Sequence, residues 1–226
     1  MFKIIGGLAA IGCIAFLVFN TPVVRMGSGF LIGEGRYVIT YNDLVKNAST
    51  LTVQFPNEDD IKATVFRQDA DHNLAILKLE NQPRVKFNKL TFHKPGMNAK
   101  NEVVFTLGYP WTNTMEDRHS LIEGSSQPDG SSIFIKINLP IDPVNSGSPL
   151  FNEKNEVIGM ALTGKDMADY HSLPVPAHIN FAIPVRFITP LLESSNISTD
   201  SPLSEKSPRD VFIENIRNNV VLIEAS

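Results

Sequence analysis

Short stretches in which apolar and polar residues alternate recur along this chain, at intervals of about ten residues, and turn-forming residues separate them. Val23–Ile32, Tyr37–Thr40, Leu51–Phe55, Ile61–Phe66 and Asn73–Leu79 predict a first group of strands. Val103–Leu107, Ile133–Ile137, Val157–Leu162 and Asn180–Pro184 predict a second. Leu51-Thr52-Val53-Gln54-Phe55 has the period of two expected of a half-buried strand. Gly33–Arg36, Pro56–Asp60 and the Gly/Ser/Pro/Asp-rich stretch before Ile133 read as turns and loops. Val185–Leu192 is the one helical pattern of note in this block, and no internal repeat is evident. The expected architecture is therefore all-β, built as barrels or sandwiches.

The two ends of the sequence read differently. Ile4–Phe19 carries no charged residue. As a helix it would span roughly 24 Å at about 1.5 Å per residue, which Met1, Phe2 and a snorkelling Lys3 extend toward the bilayer core. Leu17-Val18-Phe19-Asn20 offers no small-x-small cleavage site, so an uncleaved membrane anchor with Lys3 on the cytoplasmic side is expected over residues 1–20. The main domain is expected over 21–192 and a Ser/Pro-rich linker over 193–209. In the last segment, 210–226, Asp210–Ile216 predicts a short helix and Val220–Ala225 a strand.

Composition narrows the function classes. Formal net charge is −4 with no run of Lys or Arg, which gives no footprint for nucleic acid. Cys13 is the single cysteine, so an intrachain disulfide framework and a Cys-based zinc site are excluded. No cofactor is implied. A metal site built from Asp43 with Asp69, Asp71 or His72 has no supporting ligand spacing.

Candidate chemistry centres on Asn145-Ser146-Gly147-Ser148-Pro149-Leu150. Gly27-Ser28-Gly29-Phe30, Tyr37-Val38-Ile39-Thr40, Asn73-Leu74-Ala75-Ile76-Leu77, Gly108-Tyr109-Pro110 and Asn180-Phe181-Ala182-Ile183-Pro184 accompany it in order. Together these pieces resemble the chymotrypsin-like serine protease domain of the HtrA/Deg group, from about Val23 to Leu192. The resemblance implies two six-stranded antiparallel β-barrels, here with an N-terminal transmembrane helix. No PDZ-like segment follows in this sequence, unlike most of that family.

That family's chemistry needs a serine, a histidine and a carboxylate. Ser146 stands at the nucleophile, but Asp43 stands where the resemblance places the histidine and Asn73 where it places the aspartate. The intervals from 43 to 73 and from 73 to 146 are close to the family's. An ordinary carboxylate, with a reference pKa of about 3.9, is a poor base at neutral pH. His72 neighbours Asn73, and on a strand the two would face opposite ways. His93, His119, His171 and His178 fall in loop-like stretches and are expected at the solvated surface. The resemblance also assigns the oxyanion donors to the N–H groups of Ser146 and residue 144. Val144, preceded by Pro143, stands where the family has glycine.

A degraded site is therefore expected: a membrane-anchored pseudoprotease that binds an extended peptide or protein partner. Its peptide-binding edge would be Ala161, Leu162, Thr163 and Gly164, joined by strand addition. The expected location is the bacterial inner membrane, single-pass, with the main domain on the periplasmic side. A working endopeptidase using Ser146 with a non-histidine base, and a purely structural interaction protein, are the rival readings. The sequence also leads us to expect that Val220–Ile223 folds back as the first barrel's missing strand, since the usual place for that strand is taken by the anchor.

Overall fold

A computed structural model describes residues 23–55, 58–94, 102–108, 120–127, 133–171, 179–199 and 208–226. The Ile4–Phe19 run, Tyr109 and Pro110, His119 and His178 lie outside them. Among the described residues, no helix is long and apolar enough to cross a membrane.

In chain order the elements are β1 (Arg25–Ile32), β2 (Tyr37–Tyr41), the one-turn helix α1 (Asn42–Val45), β3 (Leu51–Gln54), β4 (Ile61–Asp69) and β5 (Leu74–Leu79). They continue with β6 (Val103–Gly108), β7 (Ser120–Gln127), β8 (Ile135–Asn138), β9 (Pro149–Asn152), β10 (Val157–Leu162), α2 (Gly164–His171) and β11 (Asn180–Pro184). α3 (Val185–Ser194), α4 (Arg209–Ile216) and β12 (Val220–Ala225) end the order. The strands close into two six-stranded barrels, β1-β12-β3-β4-β5-β2 and β10-β11-β8-β7-β6-β9.

The first barrel is closed by the strand furthest away in sequence. β12 pairs antiparallel with β1, from Arg25 with Ala225 to Phe30 with Val220, and on its other side with β3, from Ala225 with Leu51 to Leu222 with Gln54. Val220, Val221 and Ile223 are fully buried in the barrel core with Phe30, Val53 and Ile76. Gly29 makes the close approach possible, because a Cβ there would stand 2.7–2.8 Å from Val38, Ile39 and Ile223. The segment before β12 seats on the other barrel. Phe212 of α4 lies edge-on to Phe105 and Phe151, and Arg209 covers the Phe105 ring while pairing with Glu123. One stretch thus ties the two barrels together.

Several details depart from the sequence expectations. Asn42–Val45 is a helical turn, and His72 ends a 3-10 turn (Ala70–His72) after which Asn73 adopts the left-handed conformation, φ 54°. The argument from opposite strand faces therefore does not apply to His72. Its ring instead pairs with Asp69 at 2.7 Å and stacks on Phe187 of α3. The expected linker starts folded, with Ile197 buried against the core and its N–H bonded to Leu192 O.

His93 is not a solvated surface residue. The segment Thr91–His93 straps the inter-barrel connection onto β10: Val157 N–H donates to Thr91 O and His93 N–H to Val157 O. The His93 ring meets Glu156 at 2.7 Å, and Asn152 Nδ2 donates to the same carboxylate. Burial alone would raise the Glu156 pKa. Hydrogen bonds from Asn152 and His93, with the charges of His93 and Lys154, outweigh it and hold the carboxyl below its ordinary value of 4.5.

Two outcomes follow. Ile223→Ala, which removes fully buried methyl and methylene groups from the closing strand, lowers stability by about 2–5 kcal/mol in chemical denaturation. Glu156, with its folded pKa below the unfolded one, contributes stability above the ordinary carboxyl pKa, and this is lost as pH falls through the folded value. Denaturant midpoints measured between about pH 5 and pH 3 therefore fall less steeply in Glu156→Gln than in the unaltered chain.

Candidate functional site

The serine loop begins with a 3-10 turn, Pro143–Asn145. Asn145 N–H donates to Asp142 O, and the Asn145 side-chain oxygen accepts from Asp142 N–H at 3.0 Å. The turn continues through Ser146, whose N–H donates to Pro143 O at 3.1 Å. Gly147 then takes φ 97°, and a Cβ there would stand 1.9 Å from Ser28 O, so only glycine fits. Ser28 of β1 fastens this loop to the first barrel. Its N–H donates to Ser146 O and its hydroxyl to Val144 O, both at 2.7 Å. Val144 is buried and packs on Leu222 of β12.

The Ser146 hydroxyl is fully buried. It donates to Asp166 Oδ2 on α2 and accepts from Thr163 N–H at 3.0 Å. Thr163 Oγ1 also donates to Asp166 Oδ2 and accepts from Asp166 N–H. Thr163 and Asp166 are placed as the two ends of a helix capping box, in which the acid usually takes the N-cap N–H. Here Ser146 takes that N–H and stands between them.

Asp43 and Asn73, which stand where the resemblance places the histidine and the aspartate, are bonded to one another. Asn73 Oδ1 accepts from Asp43 N–H at 2.9 Å and Asn73 Nδ2 donates to Asp43 Oδ2 at 3.3 Å. Asp43 Oδ1 pairs with Lys46 at 2.5 Å. Arg25 donates to the carbonyls of Asp43 and Lys46, capping α1. Tyr41 feels the charge of both clusters. Burial, reinforced by Asp166, opposed by Arg25 and further reinforced by Asp43, pushes its phenol well above the ordinary value, so it stays protonated.

The expected peptide-binding edge is closed in this structure. Ala161 N–H donates to Ser148 O and its carbonyl accepts from Gly147 N–H, while Leu162 pairs with Phe181. Thr163 O accepts from Met167 N–H, and Gly164 N–H donates to Asn180 Oδ1. All four residues are buried, and α2 begins at Gly164, the last of them. Among the described residues, no group of His, Cys, Asp and Glu is gathered to hold a metal. Asp69 and His72 bond one another.

Asp166 is the site residue that the sequence reading missed. Its signal was Thr163-x-x-Asp166, a helix-start pattern, overlooked because the following residues have little apolar periodicity. A structural role for Ser146 makes a definite demand on stability. Ser146→Ala leaves the Thr163 N–H without its acceptor and Asp166 with one hydroxyl donor in place of two, and costs about 1–3 kcal/mol in urea denaturation. A nucleophile hydroxyl that served only chemistry would be removed at almost no cost.

Comparison with known proteins agrees with the two-barrel fold. Residues 27–160 match the family model described as "Trypsin-like peptidase domain". Similar curated proteins include the "Probable periplasmic serine endoprotease DegP-like" of Ectopseudomonas mendocina, 32% identical over 140 residues, covering 60% of this chain and 28% of the relative. The protein of that name from Pseudomonas putida is 33% identical over 144 residues, covering 60% and 28%. That of Hahella chejuensis is 30% identical over 139 residues, covering 59% and 29%. The chain thus matches less than a third of the length of these relatives. With its paired six-stranded barrels and the serine loop pinned between them, the chain belongs to the trypsin-like peptidase domain family.

Proposed function

We propose that this chain is a non-hydrolysing trypsin-like domain, a pseudoprotease that acts as a binding or regulatory module for an extended peptide or protein. One observation carries the reading: the Ser146 hydroxyl donates to Asp166 and accepts from Thr163, while Asp43 is held by Asn73 and Lys46. Acyl transfer needs a hydroxyl aimed at a base that a third group steers, and an N–H free to hold the oxyanion. In a comparable protease, loss of the histidine alone lowers turnover by on the order of 10⁶. Here the Ser146 N–H is bonded to Pro143 O as well.

Binding at the strand edge requires α2 to give way first, because Thr163 O is bonded to Met167 N–H and Gly164 N–H to Asn180. The names of the relatives place them in the periplasm. Together with the apolar Ile4–Phe19 run, this supports an anchored domain on the outer side of a bacterial inner membrane. The contact between Ser146 and Asp166 favours a second reading, a serine endopeptidase in which Asp166, rather than Asp43, takes the proton.

A fluorophosphonate probe separates the two. Under the first reading the purified chain stays unlabelled at Ser146, and Asp43→His with Asn73→Asp stays unlabelled too, since neither change releases the hydroxyl or the N–H of Ser146. Labelling of the unaltered chain that disappears in Ser146→Ala would establish the second reading.

A further inference from the structure

A carboxylate already sits on Ser146. Asp166 Oδ2 accepts two hydroxyl protons at once, from Ser146 and from Thr163, and these donors come from the serine loop and from the end of β10. Asp166 is partly exposed while Ser146 and Thr163 are buried, so the carboxylate stands between these hydroxyls and solvent. The segment that delivers it is lightly held. α2 opens on Gly164, the residue with the poorest helix propensity after proline, and in its first turn only Met167 is an apolar anchor. Among the described residues, the bonds of the Asp166 carboxylate go to Ser146 and Thr163.

We propose that the Ser146–Thr163 hydroxyl pair is a carboxylate-binding site, occupied by the chain's own Asp166, and that its external ligand is the free C-terminal carboxylate of an extended peptide. The proposal rests on the non-hydrolysing reading and names its ligand. One feature favours a peptide over a small acid. The site adjoins the β10 end, where loss of the first turn of α2 would release the carbonyl of Thr163 from Met167 N–H and the N–H of Gly164 from Asn180. These groups would then serve the ligand backbone as a strand edge does.

The test uses the full chain and Asp166→Ala. The probes are N-acetyl-trialanine with a free C-terminus, its C-terminal amide, an amidated peptide with an internal aspartate, and formate. Asp166→Ala is expected to bind the free acid at least tenfold more tightly than the unaltered chain does, and at least tenfold more tightly than it binds the amide. Adding Ser146→Ala is expected to abolish the gain. Formate, which can replace the deleted carboxylate, is expected to raise the thermal midpoint of Asp166→Ala, or its yield of folded protein on refolding. Chloride at equal ionic strength is expected to do neither.

Equal binding of acid and amide, or a gain that survives Ser146→Ala, overturns the proposal, as does a formate effect no larger than that of chloride. Preference for formate or the internal aspartate over the free acid overturns the peptide terminus as ligand. Mass spectrometry of the probes keeps the two readings apart. Cleavage would sink the non-hydrolysing reading, whereas absent carboxylate preference without cleavage would sink this one.

Discussion

Every polar atom of Ser146 is occupied from within the chain. Its N–H goes to Pro143 O, its carbonyl to Ser28 N–H, its hydroxyl proton to Asp166 and its hydroxyl lone pair to Thr163 N–H. Buried polar groups are costly to leave unpaired, so a fully paired residue resists displacement. The same four bonds reach β1 in the first barrel, the turn before the serine and the start of α2. A side chain whose family role is to leave its resting contact and attack a carbonyl is here a node that holds three pieces of structure.

That node also shows how the serine loop serves the fold. The seam between the barrels needs the serine loop, because Ser28 holds it through the Val144 and Ser146 carbonyls and Gly147 lies against Ser28 O. Val144, poorly suited to an oxyanion loop, fills space against Leu222 instead. β12 and α4 strengthen the same seam from the far side, with β12 closing one barrel and Phe212 seated on Phe105 and Phe151 of the other. Hydrophobic closure is non-directional and tolerates such substitutions, whereas catalysis demands particular groups at particular angles.

What the sequence discloses follows from the same contrast. Strands such as Leu51–Gln54 and Val157–Leu162 are legible because one-sided or two-sided burial leaves a periodic or continuous apolar trace. β7, Ser-Leu-Ile-Glu-Gly-Ser-Ser-Gln, leaves almost none, since its later half is polar and contains a glycine. α2 is hidden for a related reason, beginning with glycine and alternating charge with small residues. The departures at 43 and 73 are visible in the sequence because order and spacing fix those positions. The partner of Ser146 is not. Thr163-x-x-Asp166 marks a helix start, but that Thr163, between β10 and α2, brings Asp166 onto Ser146 is a three-dimensional juxtaposition that the pattern does not spell out.

Asp43 and Asn73 make electrostatic sense as a pair. An aspartate at 73 facing Asp43 would set two carboxylates within hydrogen-bonding reach, an arrangement in which both cannot comfortably ionise. Asn73 keeps the shape and the left-handed turn, accepts the Asp43 N–H as an aspartate would, and offers an N–H to Asp43 Oδ2. With Asp43 neutralised locally by Lys46 and bonded to Asn73, the first barrel's half of the cleft is balanced without help from the second. Asp166, in turn, is held by the hydroxyls of Ser146 and Thr163 and by its own N–H bond to Thr163 Oγ1. Each carboxylate is thus satisfied by its own neighbours: an amide and a lysine for Asp43, two hydroxyls for Asp166.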